Sequence, residues 1–370
     1  MGALNWSRDN SMKVTPLIIT KVIQGIGYLS LNRPAALNAL NQEMVDAIHY
    51  YLDEWEKSED VNVVVLKSTS PNFFCAGGDI KALYHHYKNN ELATIEKFYT
   101  REYALNQKLS AYTKPTIAIG SGLVMGGGLG LVQQCDYRLV TENSEWAMPE
   151  TAIGFFPDVG AIWFLNKCPG YTGWLMALSG CRANAADIMY TVLGTHFLSS
   201  ETLEVFYQGL EKAPTHTDAR ACIDILLENM STTPQMESPI SHFRQEIDTF
   251  LSEEDLSISL NAFELLLSQK LGKSEKQWLE NVGQGFANAS PLSLVVTHQY
   301  LKKMRSASLS AVFETDRKLA NLFLDHGDFI EGVRAKLIDR DGMPKWLNAD
   351  LYDVSVQDLE PFMNALNEKN

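Results

Sequence analysis

The order of apolar and polar positions splits this chain into a strand-rich stretch followed by a longer helical one. Residues 16–20 and 25–31 are compact runs of Ile, Leu, Val and Tyr, which predict two neighbouring strands joined by a turn at 21–25. LNRPAALNAL (31–40) breaks the strand pattern at Pro34. Over 41–57, apolar side chains fall at Met44, Ala47, Ile48, Tyr51, Leu52 and Trp55. That is the i, i+3, i+4, i+7 spacing of a helix with one buried stripe. Residues 61–67 (VNVVVLK) are apolar without alternation, as expected of a strand covered on both faces. A strand, a helix and a strand in succession predict a parallel pair.

A second helix is predicted over 91–112, with the stripe Ile95, Phe98, Tyr99, Glu102, Leu105, Asn106 and Leu109. Glu102 lies on the apolar face, where a carboxylate is costly without a partner or a purpose. Further strands are predicted at 116–120, 137–140 and 195–198, with a short helix starting at the glycines of MGGGLGLVQQ. From residue 159 the pattern turns helical, first over 159–167, 172–180 and 184–193. It continues over 200–211, 217–230, 239–251, 257–270, 291–305, 309–325 and 328–339. The expected architecture is an α/β core over 14–198 followed by a helical region over 199–370, with no internal repeat.

Composition narrows the class. The 370 residues are 45% hydrophobic, enough for a large core. No apolar run is long enough to cross a membrane, so no membrane association is expected. Residues 1–13 have no apolar core and few basic residues, so neither a signal nor a transit peptide is expected there. A net charge of −14 argues against a nucleic-acid partner, which calls for a basic face. The five cysteines are odd in number and unpatterned, which fits a reducing compartment: the cytoplasm, with the mitochondrial matrix as the alternative. Neither the cysteines nor His49, His85, His86, His196, His298 and His326 show metal-ligand spacing.

The candidate chemistry sits in three glycine-rich words that follow predicted strands. NFFCAGGDI (72–80) has Gly77 and Gly78, and SGLVMGGGLGL (121–131) has Gly126, Gly127 and Gly128. Without Cβ atoms, such turns let backbone amides approach a ligand closely, and a helix starting at the second adds its free N–H groups. Two donors on one oxygen would form an oxyanion hole. The alternative is that the glycines only permit tight turns. Neither word has the spacing of a nucleotide-binding fingerprint. Cys75 reads as a small packing group, and Ser121 lies in GSG, outside a nucleophile elbow. AMPETAIGFFPDVG (147–160) places Glu150 and Asp158 in apolar surroundings, each directly after a proline. Burial raises a carboxyl pKa and suits it to acid–base or nucleophilic work. Asp158 is equally placed to cap the helix that follows, and Glu102 to be a buried acid satisfied locally.

At these residues the chain resembles the enoyl-CoA hydratase/isomerase (crotonase) superfamily. The matching words are LNRPxxxNAL (31–40), FxAGGD (74–79), MGGGxGL (125–131), AMPETxIGxFPDVG (147–160) and DFxEGVRAxLIDxDxxPxW (328–346). The resemblance implies a core of repeated ββα units. It implies an acyl-CoA thioester whose carbonyl oxygen lies between the amides of Gly78 and Gly127. Ala76 and Ile80 are implied as contacts for the CoA portion. No metal and no cofactor beyond the CoA of the substrate are implied, while self-association into trimers or dimers of trimers is common in the superfamily. A hydratase of this kind carries a glutamate three residues after the second oxyanion glycine, where this chain has Gly130. A second glutamate matches Glu150. The pattern therefore resembles a hydrolase branch, with 3-hydroxyisobutyryl-CoA as the expected substrate in valine breakdown and hydration or isomerisation of an unsaturated acyl-CoA as the alternative. In that branch Glu150 is the catalytic group, attacking the thioester or activating water. Asp158 holds the 3-hydroxyl and helps position the water, and Glu102 completes the polar lining. After Asp158 a further glycine pair is expected, but the chain reads GAIWFLNKCPG, so Trp163 either narrows the pocket or packs in the core.

Overall fold

The computed structural model describes residues 15–368. The stretch 1–13, with the expectation about targeting segments, lies outside them. Strands β1 (Ile18–Ile23), β2 (Ile26–Leu31), β3 (Val63–Ser68), β5 (Thr116–Ile119), β7 (Tyr137–Val140) and β10 (His196–Phe197) form a six-stranded sheet in the order β1-β2-β3-β5-β7-β10. β1 and β2 are antiparallel and the remaining pairs are parallel. Gln24 and Gly25, both at positive φ (48° and 81°), make the two-residue turn between β1 and β2. β1 therefore starts later and runs further than the predicted run 16–20, because polar Lys21 sits exposed on an edge strand and interrupts the apolar pattern.

Short strands β4 (Phe73–Cys75), β6 (Leu123–Met125), β8 (Glu145–Ala147) and β9 (Ala183–Asn184) build a second sheet in the order β4-β6-β8-β9. β3, β5 and β7 are each followed by one of these short strands (β4, β6 and β8) and then by a helical segment. This produces the repeated ββα units of the expected crotonase-like fold. The central strands are buried on both faces. Val64, Leu66 and Ala118 belong to the main core. Val63, Val65, Ile117 and Ile119 face a second apolar layer.

The helices in chain order are α1 (Gln42–Lys57), α2 (Ile80–Lys88), α3 (Leu92–Ser110), α4 (Gly127–Gln133), α5 (Ala161–Leu165), α6 (Thr172–Ser179) and α7 (Ala185–Tyr190). Then come α8 (Ser200–Lys212), α9 (Ala219–Met230), α10 (Pro239–His242), α11 (Arg244–Leu251), α12 (Leu256–Leu267), α13 (Lys273–Asn288), α14 (Pro291–Lys303), α15 (Leu309–His326), α16 (Phe329–Val333) and α17 (Val356–Asn367). α2, α13 and α17 have no counterpart in the sequence reading. α13 carries a clear stripe of Leu279, Val282 and Phe286. Its pattern is obscured by Gly283 and Gly285, and the latter packs so closely on the Ser179 carbonyl that a Cβ would overlap it. The predicted helix at 239–251 is divided at Phe243 into α10 and α11.

The helical region is joined to the core along its length. Phe206 and Leu210 of α8 and Ile223 and Leu227 of α9 cover the outer face of the six-stranded sheet. The main apolar cluster draws on both parts, from Ile18 of β1 to Leu366 of α17. Buried Asp187 is a polar tie between the two parts. It completes a capping box with Asn184 at the start of α7, and its Oδ1 accepts from Ser238 Oγ (2.7 Å) and the Ile240 amide (3.0 Å). Removing such an acceptor leaves a buried N–H without a partner and destroys a cap. Asp187→Ala should therefore lower unfolding stability by about 2–4 kcal/mol in urea titrations at neutral pH. A loss below about 0.5 kcal/mol, the range of an ordinary surface substitution, would contradict this role.

Candidate active site

The site is built where the two glycine words meet helix α3. Gly127 begins α4, so its amide belongs to the first turn and has no acceptor within the helix. A Cβ on Gly127 would lie 3.4 Å from the Gly78 amide nitrogen, which sets the two donors side by side. The Gly78 amide donates to no other backbone group among the described residues, whereas its neighbours do: Ala76 to Leu37 and Asp79 to Leu40 (3.0 and 2.8 Å). Gly126 has φ 47° and ψ −123°, a conformation that favours glycine, and it turns the chain from β6 into α4. Two amides, free and adjacent, form a cradle suited to an oxyanion.

Two carboxyl groups lie in the space that side chains on this turn would fill. A Cβ on Gly126 would be 2.7 Å from Glu150 Oε1, and one on Gly127 would overlap Glu102 Oε1. Glu102, Glu150 and Asp158 are 2%, 7% and 6% exposed. Glu102 Oε1 and Glu150 Oε2 are buried with no hydrogen-bond partner in the protein, so Glu102 is not satisfied locally. Asp158 does not cap a helix. Gly160 is the N-cap of α5, and Asp158 Oδ2 accepts from the Tyr103 hydroxyl at 2.7 Å. The structure thus brings Glu102, Glu150, Asp158, Gly78 and Gly127 into one site. Ala76 and Ile80 flank it, both partly exposed, with Ile80 Cδ1 3.6 Å from where a Gly78 Cβ would be.

Burial dominates the electrostatics. It raises the Glu102 and Glu150 pKa values well above the carboxylate range, and the charge of Asp158 raises both further. Burial also raises Asp158, to about 7, against the pull of the Tyr103 hydrogen bond. The walls are aromatic: Tyr99 stacks on Phe155, which in turn touches Phe156, Phe323 and Phe329. Cys75 is buried with its thiol pushed up to about 12, as suits a packing group. Among the described residues no cluster of three or more His, Cys, Asp or Glu could hold a metal ion, and no helix is long and apolar enough to cross a membrane.

Three features of the site lie outside the residues singled out above. Val159 has φ 54°, a strained conformation for a β-branched residue. Its side chain fills the space in front of Gly130, where an added Cβ would sit 2.7 Å from Val159 Cβ and 3.2 Å from Asn106 Nδ2. Buried Asp316 of α15 holds the turn: its Oδ2 accepts from the Gly160 amide and its Oδ1 from the Tyr300 hydroxyl, each at 2.8 Å. Asn106 and the Tyr99 hydroxyl, on the same stripe of α3 as Glu102, are buried without partners. A polar residue on an apolar stripe is the signal that marks Glu102, and it marks Asn106 equally. Asp316, on a separate helix, has no such link to the site in the sequence. Trp163 packs at the edge of the core and lines a separate 540 Å³ cavity with Gln133, Arg138 and Lys167; none of the three site acids lines that cavity.

Comparison with known proteins matches the enoyl-CoA hydratase/isomerase family over residues 26–363. The chain belongs to this family. Its solved relatives include a carnitinyl-CoA dehydratase from Mycobacterium thermoresistibile, with TM-score 0.83 at 30% identity over 94% of this chain and 96% of that one. An enoyl-CoA hydratase from Rhodobacter sphaeroides 2.4.1 has TM-score 0.82 at 27% identity over the same shares. Curated family members named mitochondrial 3-hydroxyisobutyryl-CoA hydrolase are also similar. The one from Rattus norvegicus is 35% identical over 93% of this chain and 88% of its own length. The one from Danio rerio is 33% identical over 97% and 92%.

The family's C-terminal word has a visible structural task here. Gly332 of α16 packs on Ile153, and the Asp328 backbone on Gly154, so closely that neither glycine has room for a Cβ. These contacts brace the short 3-10 helix (Glu150–Ile153) that presents Glu150.

A pH effect follows from the raised Asp158 pKa. Between its ordinary value of 3.8 and about 7, the folded protein keeps a proton that the unfolded chain has lost. The stability contributed by this group is full below the lower value and is lost as pH rises through the upper one. Asp158→Asn should flatten the fall in stability across that window, read as melting temperature against pH. An unchanged slope would contradict the assignment.

Proposed function

We propose that the protein hydrolyses a 3-hydroxyacyl-CoA thioester, with 3-hydroxyisobutyryl-CoA as substrate and 3-hydroxyisobutyrate and free CoA as products. The thioester oxygen accepts from the amides of Gly78 and Gly127, which stabilise the negative charge of the tetrahedral intermediate. Glu150 acts on the carbonyl carbon, either attacking it to form a mixed anhydride that water then opens or deprotonating the attacking water. Crowding among Glu102, Glu150 and Asp158 lets them share protons, so an ionised member can act while a protonated neighbour donates to the departing sulfur. Asp158 accepts from the 3-hydroxyl, and Glu102 completes the polar lining. The CoA portion passes Ala76 and Ile80 toward a 390 Å³ cavity lined by Arg33, Asp79, His86 and Phe98.

The observation that carries this reading over hydration is the closed space at Gly130. Water addition to a double bond in this family uses a glutamate there as well as one matching Glu150. Here Val159 and Asn106 occupy the room such a side chain would need. The names of the rat and fish relatives support hydrolysis, and those of the two solved relatives support the hydratase alternative. The five cysteines are free, which suits either reducing compartment, and the mitochondrial designation of the curated relatives supports the matrix.

The test is release of free CoA, followed with a thiol reagent over a panel of acyl-CoAs. The expected result is turnover of 3-hydroxyisobutyryl-CoA, with Glu150→Gln lowering kcat by about 10²–10⁴. Full activity in that variant would overturn the role of Glu150. Hydration of crotonyl-CoA, seen as loss of enoyl absorbance, together with no CoA release from any 3-hydroxyacyl-CoA, would overturn the hydrolase reading.

A further inference from the structure

The Asn106 amide has no role in the chemistry above. Asn106 is 0% exposed, and neither Oδ1 nor Nδ2 has a hydrogen-bond partner in the protein. A primary amide offers two donors and a carbonyl oxygen with two lone pairs. Burying all of them unsatisfied is strongly unfavourable, so groups of this kind in native proteins are completed by a ligand or by ordered water. Asn106 is also placed where neighbouring backbone has made room for it, since Gly130 presents no side chain to its amide.

Its position along α3 says what it can meet. Glu102 abuts Gly127 and Asn106 abuts Gly130, so the two side chains of α3 step along α4 in register. At about 1.5 Å per residue, Asn106 lies roughly 6 Å further along the helix axis than Glu102. That sets it apart from the oxyanion glycine by about the length of a short acyl group. A 3-hydroxyl oxygen is three bonds from the thioester carbon, roughly 3.5 Å away, and an N–H···O hydrogen bond adds about 2.9 Å. The two together span the step from Glu102 to Asn106. Asp158 lies close to Asn106: its partner Tyr103 precedes Asn106 by three residues on α3, and the side chain of its neighbour Val159 lies with Asn106 in front of Gly130.

We propose that Asn106 is a specificity-determining residue that recognises the 3-hydroxyl of the acyl group. Its amide donates to the hydroxyl oxygen, while the hydroxyl proton points to Asp158. The inference rests on the reading that the substrate is a 3-hydroxyacyl-CoA, and it predicts discrimination against the same acyl chain without the hydroxyl. A site built to hydrogen-bond a hydroxyl leaves its own buried polar groups unpaired when the hydroxyl is missing, and this is the source of its selectivity.

The experiment compares 3-hydroxyisobutyryl-CoA with isobutyryl-CoA in the wild type, Asn106→Leu and Asn106→Ser. Leu keeps the volume and removes the amide; Ser keeps a small polar group and covers the case in which Leu does not fold. In the wild type, kcat/KM and affinity should favour the hydroxylated substrate. Asn106→Leu should lower kcat/KM for that substrate by about 10- to 100-fold while leaving isobutyryl-CoA within about threefold. Asn106→Ser should move the ratio in the same direction by less. Equal losses on both substrates would assign Asn106 to a water or to folding and overturn the proposal, as would an unchanged ratio in either variant. The dissociation constants of the two acyl-CoAs, measured by calorimetry, read the same contact without turnover. A wild type that binds both but releases CoA from neither would reject the hydrolase activity, while the affinity ratio would still decide the role of Asn106.

Discussion

The cost of burying carboxyl groups governs this site. Glu102, Glu150, Asp158 and Asp316 are all enclosed, and burial is the largest cause of the raised pKa of each. Solvent would otherwise screen them and return them to the ordinary carboxylate range. The enclosure is made by aromatic side chains from distant parts of the chain: Tyr99 and Tyr103 on α3, Phe155 after the 3-10 helix, and Phe313, Phe323 and Phe329 on the C-terminal helices. Each acid therefore holds its proton to higher pH than a solvated carboxyl group does, and the C-terminal helices supply part of the cover.

Absent side chains matter as much as those present. Gly126 and Gly127 let two carboxyl groups approach the amide cradle, and Gly130 leaves room for Val159 and Asn106. The strained Val159 is held between Asp158, fixed by Tyr103, and Gly160, fixed by Asp316. Strain of this kind persists only where the surroundings over-determine the conformation, and here three hydroxyl and carboxyl groups do so. One short turn therefore sets an acid beside Glu102 and Glu150 and fills the space in front of Gly130.

The C-terminal helices are part of the same construction. α8 and α9 cover the far side of the sheet, α15 supplies Asp316, and α16 braces the segment carrying Glu150. This explains in physical terms why a family word at 328–346 accompanies the glycine words, although it contributes no group to the cradle itself.

Local pattern was enough to predict α1, α3, the long strands and most of the later helices, because each has its own period of buried positions. It was also enough to place Glu102 on a buried face and to mark the glycine words as sites of close backbone approach. The short strands of the second sheet were not legible. Two or three residues carry no period, and these segments are strands only because a neighbouring repeat pairs with them. The same limit applied to the site. Asn106 stood on the stripe, but only the fold shows that nothing in the protein satisfies it. Whether Asp158 capped a helix depended on Tyr103, 55 residues away. Asp316 could not be linked to the turn at all, since its bond to Gly160 spans 156 residues. Sequence periodicity reports which face of an element is buried. Which buried polar groups meet, and which are left open for a substrate, depends on how distant elements pack, and the tertiary structure alone decided that.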